Sequence, residues 1–221
     1  MSFFEEKINW PLNSDSVSSL EIKAGYEDFV PAEFKENPFD YFSQNGQNLK
    51  PWKEKVKVKE FVWTDQQQRQ LAVVTKLISW KEEIKNSGDP FYEYNLMETI
   101  RDLHLPAANP LIKVKQNEKY LIVMERIPGI SFSELEQLIP QLKAQGFNES
   151  DIDNLKKQAL ICIENLKEKF ETAGVHKDNW KMKDMVFDID IKGKKIKQII
   201  PTDWERTKID QIKLNEYKNL I

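Results

Sequence analysis

Asp178, Asp184 and Asp203 fall within one short stretch of the chain, Gly174 to Glu205. Asp178 closes a His176-Lys177-Asp178 turn, and Asp184 stands directly before the apolar run Met185-Val186-Phe187. A second apolar run, Ile196 to Ile200, leads into Pro201-Thr202-Asp203-Trp204-Glu205. Between the runs lies a basic turn, Ile191-Lys192-Gly193-Lys194-Lys195. Two short strands around a glycine turn read as a hairpin, which would bring the three carboxylates near one another. One carboxylate can take a proton from a nucleophile while others hold a divalent cation. Phosphoryl transfer relies on that combination, because the protein's part in it is positioning and charge neutralisation. A charged surface hairpin would account for the same residues without chemistry, so the elements that position them must be weighed.

Residues 55–63, Lys-Val-Lys-Val-Lys-Glu-Phe-Val-Trp, alternate with period two and read as a strand. Val56 and Val58 share one face, and Lys57, Lys59 and Phe61 the other. From Thr64 onward the pattern reads as a helix. Thr64-Asp65-Gln66-Gln67 resembles a capping box; Leu71, Val74, Leu77, Ile78 and Ile84 recur at three-to-four spacing; Asn86-Ser87-Gly88 is a stop. A second helix is expected over 91–103, with Leu96, Met97, Ile100 and Leu103 on one face and Glu93 before it. Tyr120 to Met124 form a continuous apolar strand ending in Glu125-Arg126-Ile127-Pro128-Gly129. Ser131 or Ser133 caps the next helix. A long helix then starts at Asn148 and runs to about Thr172, with Leu155, Ala159, Ile163, Leu166 and Phe170 as its apolar stripe and Gly174 as its end.

These pieces, in this order, resemble the protein-kinase-like superfamily over residues 55–205. Its catalytic loop reads H-x-D, four spacers, N, followed by an apolar run and a hairpin to D-[FW]-[GE]. The resemblance implies that His176 and Asp178 form the catalytic loop, with Asp178 orienting or deprotonating the acceptor hydroxyl. It also implies that Asp203 binds magnesium. The Asp-Trp-Glu form resembles small-molecule, lipopolysaccharide-core and compact bacterial effector kinases. The chain departs where the family's Asn should fall: Lys183 stands there, and Asp184, one residue on, is taken as the substitute metal ligand. Lys59 falls on the family's phosphate-gripping lysine and Lys57 on its alanine. Lys76 is the rival, should its segment be a strand. Glu93 matches the glutamate that pairs with that lysine, in a helix followed by a Leu105-Pro106 turn. The segment Lys119 to Gly129 resembles the last N-lobe strand and hinge. There backbone groups at Glu125 and Ile127 would bond the adenine edge, with Met124 at the back of the pocket. A glycine-rich phosphate loop is not found; Gly25 and Gly46 form no such motif.

The resemblance therefore implies an α+β, bilobal protein-kinase-like fold with a truncated, mostly helical C-lobe. Residues 1–50 would be an irregular N-terminal segment packed on the N-lobe, 51–126 the N-lobe and 127–221 a minimal C-lobe. The expected cofactors are ATP and Mg2+, with Mn2+ as the alternative ion. The expected acceptor is a Ser/Thr hydroxyl of a protein, as in effector-type kinases, with an activating protein partner. A small-molecule or sugar kinase and a pseudokinase acting as a binding module stay open.

Composition bounds the rest. The 221 residues are 31% charged and 40% hydrophobic, which suits one globular domain or two small lobes. A net charge of −3 gives no electrostatic footprint for nucleic acid. No apolar run reaches the roughly 18 residues of a membrane span. The start, Met1-Ser2-Phe3-Phe4-Glu5-Glu6, carries acids where a signal peptide needs bases. The single cysteine, Cys162, is expected in a helix core and rules out a disulfide within the chain. A cytoplasmic location is expected, with secretion into a host cell as the alternative.

Overall fold

The computed structural model describes residues 19–49, 57–79, 88–178, 180–204 and 206–221. The protein is a mixed α+β chain that divides into two compact units. One comprises Met1–Glu98 with Asn109–Arg126, the other Thr99–Ala108 with Ile127–Ile221.

The first unit is built on a six-stranded sheet. Its strands are β1 (Ser19–Ile22), β2 (Gln47–Asn48), β3 (Lys57–Thr64), β4 (Gln70–Ser79), β5 (Pro110–Gln116) and β6 (Lys119–Glu125). Their spatial order is β1-β5-β6-β4-β3-β2, with antiparallel neighbours throughout. Helices α1 (Ala32–Glu36) and α2 (Pro38–Gln44) lie between β1 and β2, and α3 (Tyr92–Asp102) follows β4. The core joins Phe34 and Phe42 of the two short helices to Phe61, Trp63, Val73 and Val123 of the sheet. Residues 19–49 thus hold two strands and two helices that complete a hydrophobic core, where an irregular segment was expected. Pro38 sits at the first position of α2, where its missing N–H costs nothing, and the Asn37 side chain caps that helix. Residues 1–18, the rest of that expected segment, lie outside the described residues, as do Ile84 and the Asn86-Ser87 stop.

The helix expected from Thr64 is instead the turn and second strand of a hairpin, with β3 and β4 paired from Lys57↔Leu77 to Thr64↔Gln70. Asp65, inside the supposed capping box, is the key to the turn. Its Oδ1 accepts from the N–H groups of Gln67 and Arg69, and its Oδ2 from Arg69 Nε. The same short acid that can cap a helix here folds the chain back on itself, since Asp65 N–H also donates to the Arg69 carbonyl. The β-branched run Val73-Val74-Thr75 then favours the extended state.

The second unit holds α4 (Phe132–Ala144), α5 (Glu149–Thr172) and α6 (Gln211–Lys218). Its strands are β7 (Ile130–Ser131), β8 (Val175–Lys177), β9 (Met185–Asp190), β10 (Lys195–Pro201) and β11 (Thr207–Ile209). β9 and β10 form the expected hairpin, extended by β7 to a three-stranded sheet in the order β10-β9-β7, while β8 pairs with β11. α5 opens with a reciprocal capping box between Asn148 and Asp151. Its buried stripe is Ile152, Leu155, Ala159, Ile163, Leu166 and Phe170. Ile152 and Leu155 join Leu135, Leu142 and Phe147 in a second core, on which Ile189 and Ile196 of the hairpin pack. Cys162 is half-buried on α5 rather than in the core. The side chains of Ser131 and Ser133, expected as caps of α4, lie outside the described ones. Among the described residues no helix is long and apolar enough to cross a membrane.

Candidate functional site

Among the described residues of the first unit, one ion pair is buried at both ends. Lys76 Nζ lies 2.5 Å from Glu93 Oε2, linking β4 to the first turn of α3, with both residues 7% exposed. This corrects the expectation that Lys59 pairs with Glu93. Cross-strand partners share a face of a sheet, and Lys59 stands opposite Thr75 while Lys76 stands opposite Val58. The two lysines therefore project from opposite faces. Lys59 Nζ donates to the carbonyls of Ser43 and Asn45 at the end of α2, and lies over the Phe42 ring. It closes a helix C-terminus, where a cation suits the exposed carbonyls. The side chain of Lys57, which falls on the family's alanine, lies outside the described ones.

Beside Lys76 the sheet presents apolar side chains that the core does not cover. The register Val62↔Ala72, Glu60↔Val74 and Val74↔Met124 puts Val62, Ala72, Val74 and Met124 on the face that bears Lys76. Val62 is 58% exposed, and the other three are half-buried. A flat, partly exposed aliphatic surface next to a buried cation suits a planar apolar ring joined to an anionic group. Ala72 and Val74 could not be faced from the sequence because β4 reads there as a helix, and Val62 joins them only through the β3–β4 register.

The end of β6 is fixed on both sides. Glu125 N–H donates to the Asn109 carbonyl at 2.8 Å, and Arg126 N–H to the Ala72 carbonyl at 2.8 Å. Arg126 Nε also lies 2.6 Å from Glu60 Oε1. With its N–H committed, a base-edge contact from Glu125 falls to its carbonyl. Ile127, the other expected hinge residue, is half-buried and belongs to the second unit.

In the second unit the two acidic loops are brought together by backbone pairing and aromatic packing. β8 and β11 pair as Val175↔Ile209, His176↔Lys208 and Lys177↔Thr207, so His176 is held within a strand. Gly174 makes this start possible. It holds φ +75, and a Cβ there would meet the Asp210 carbonyl oxygen at 2.7 Å. Trp204 is 1% exposed and stacks on Phe170 of α5 with ring centroids 5.8 Å apart. Trp180 meets the same Phe170 edge-on at 5.4 Å. Lys177 Nζ lies 5.3 Å from the centre of the Trp204 ring. Asp178 follows Lys177 and Asp203 precedes Trp204, so these contacts tie together the loops that carry both carboxylates.

Asp184 belongs to the same hairpin end as Asp203. Pro201 stands opposite Met185, and Thr202 then donates both its N–H and its hydroxyl to the Asp184 carbonyl, at 2.9 and 3.0 Å. Asp184 and Asp203 are half-buried and Asp178 is exposed. Among the described residues no three His, Cys, Asp or Glu side chains gather into a ready metal cage. The two half-buried carboxylates fit the way magnesium is usually held, by one or two protein carboxylates with water and substrate phosphate supplying the rest. No family model and no curated protein matches this chain.

Proposed function

We propose that this protein is an ATP-dependent phosphotransferase of protein-kinase-like type, acting on a hydroxyl, most simply Ser or Thr of a protein. The buried Lys76–Glu93 pair carries this reading. Two charges withdrawn from water cost several kcal/mol each, and a packed apolar pair commonly serves stability as well or better. A strand lysine held in place by a helix carboxylate is more readily explained as a fixed cation for a ligand's phosphates. The exposed aliphatic face of Val62, Ala72, Val74 and Met124 beside it suits a purine ring. The bacterial effector and small-molecule kinases that the sequence resembles use the same pairing of strand lysine and helix glutamate.

In this reading each residue has a defined task. Lys76 grips phosphate oxygens, and Glu93 fixes its position. Asp203 and Asp184 hold Mg2+, which neutralises charge on the transferred group. Asp178, exposed at the end of β8, orients the incoming hydroxyl and takes up its proton. Trp204 and Lys177 hold the two loops in register.

Transfer of label from γ-labelled ATP, to the protein itself and to a mixed protein acceptor, tests this reading. Wild type should incorporate label with Mg2+, and Asp178→Ala and Asp203→Ala should abolish it. Binding of Mg·ATP without transfer would instead establish a nucleotide-binding module. Neither binding nor transfer would remove the reading.

A further inference from the structure

The helix that bears Glu93 is fastened at a second point by a residue outside the proposed site. Lys23, directly after β1, lies 3.5 Å from Glu98 of α3 and donates to Asn109 Oδ1 at 3.2 Å. Asn109 is 8% exposed, and its amide is satisfied at both ends. Its Nδ2 donates to the Tyr26 hydroxyl at 2.9 Å and to Glu125 Oε2 at 3.2 Å. One polar network thus joins the segment after β1, the helix of Glu93 and the end of β6. Glu93 and Glu98 are five residues apart, so their bonds leave the helix in different directions and oppose rotation about its axis. The buried node of this network, Asn109, has both ends of its amide satisfied, which holds it rigid.

We propose that the β1 segment, through Lys23 and Asn109, is a built-in brace that keeps Glu93 on Lys76. The inference rests on the proposed role of Lys76 in holding phosphate, and deepens it. Nucleotide affinity then depends on Lys23, which acts through α3 as a positioning residue.

Lys23 is partly exposed, so its replacement leaves the core intact. The test compares wild type, Lys23→Met and Lys23→Arg by hydrogen exchange over residues 92–98 and by calorimetric binding of Mg·ATP. The brace requires faster exchange over 92–98 in Lys23→Met and at least about a five-fold loss of affinity, the low end of typical coupling between sites. Lys23→Arg, which keeps the bridging charge, should restore both. Unchanged exchange in Lys23→Met overturns the brace, as does faster exchange with unchanged affinity. If wild type binds no Mg·ATP, the phosphotransfer reading fails, while exchange over 92–98 still decides whether Lys23 holds the helix.

Discussion

Lys76 of β4 and Glu93 of α3 stand 2.5 Å apart with more than nine-tenths of each side chain out of water. Breaking such a pair from one side leaves a lone buried charge. Lys76→Met alone should therefore cost roughly 3–5 kcal/mol in denaturant unfolding. The double variant Lys76→Met/Glu93→Leu should recover most of that loss, because the interior then holds two apolar groups. It should still fail to bind nucleotide. Stability and binding parting company in the double variant would separate a ligand-holding pair from a merely structural one.

Asp65 gives a pH signature to the β3–β4 turn. Burial raises its pKa, but the N–H groups of Arg69 and Gln67 and the Arg69 guanidinium outweigh this and hold it below its ordinary 3.8. A carboxyl lowered by folding contributes stability that is fully present above its unfolded value and is lost as pH falls through the folded one. Unfolding free energy should thus drop with acidification below about 3.8. Asp65→Asn should be less stable than wild type at neutral pH and show a shallower acid limb, measured by denaturant unfolding at several pH values.

Trp204 is a large buried ring stacked on Phe170, and its indole N–H has no hydrogen-bond partner among the described residues. Trp204→Ala should cost about 3–5 kcal/mol through the cavity it leaves. Trp204→Phe should cost clearly less, since it keeps a stacking ring and removes a buried unpaired donor. Thermal unfolding of the two variants checks the order. Under the proposed function Trp204→Phe should also retain more phosphoryl transfer than Trp204→Ala.

His104 ends α3 in the left-handed region, with φ 56. Its N–H donates to the Arg101 carbonyl and Leu105 N–H to the Ile100 carbonyl, the paired bonds of a Schellman end. Glycine is the residue that adopts this backbone without strain. His104 is exposed, so His104→Gly should raise stability by roughly 0.5–1 kcal/mol, seen as a higher Tm.

The elements most legible in the sequence are those with one clear period or one strong punctuation mark. The β9–β10 hairpin announces itself through Lys192-Gly193, and α5 through its Asn148 cap and 3.6-residue stripe. The β4 strand was hidden because Leu71, Val74, Leu77 and Ile78 fit a helical stripe, while β4 also lies in the middle of a sheet. A strand with apolar residues on both faces loses the alternation that distinguishes it. That single ambiguity led the sequence reading to pair Glu93 with Lys59 rather than with Lys76. β11 was equally hidden, since three residues carry no readable period.

The most direct measurement is calorimetric binding of Mg·ATP to wild type, Lys76→Met/Glu93→Leu and Lys59→Met. The proposed function predicts binding by wild type, loss in the double variant, and retention in Lys59→Met, whose side chain closes α2 on the opposite face of the sheet. Wild-type affinity unchanged in the double variant, or no binding by wild type at all, would contradict it.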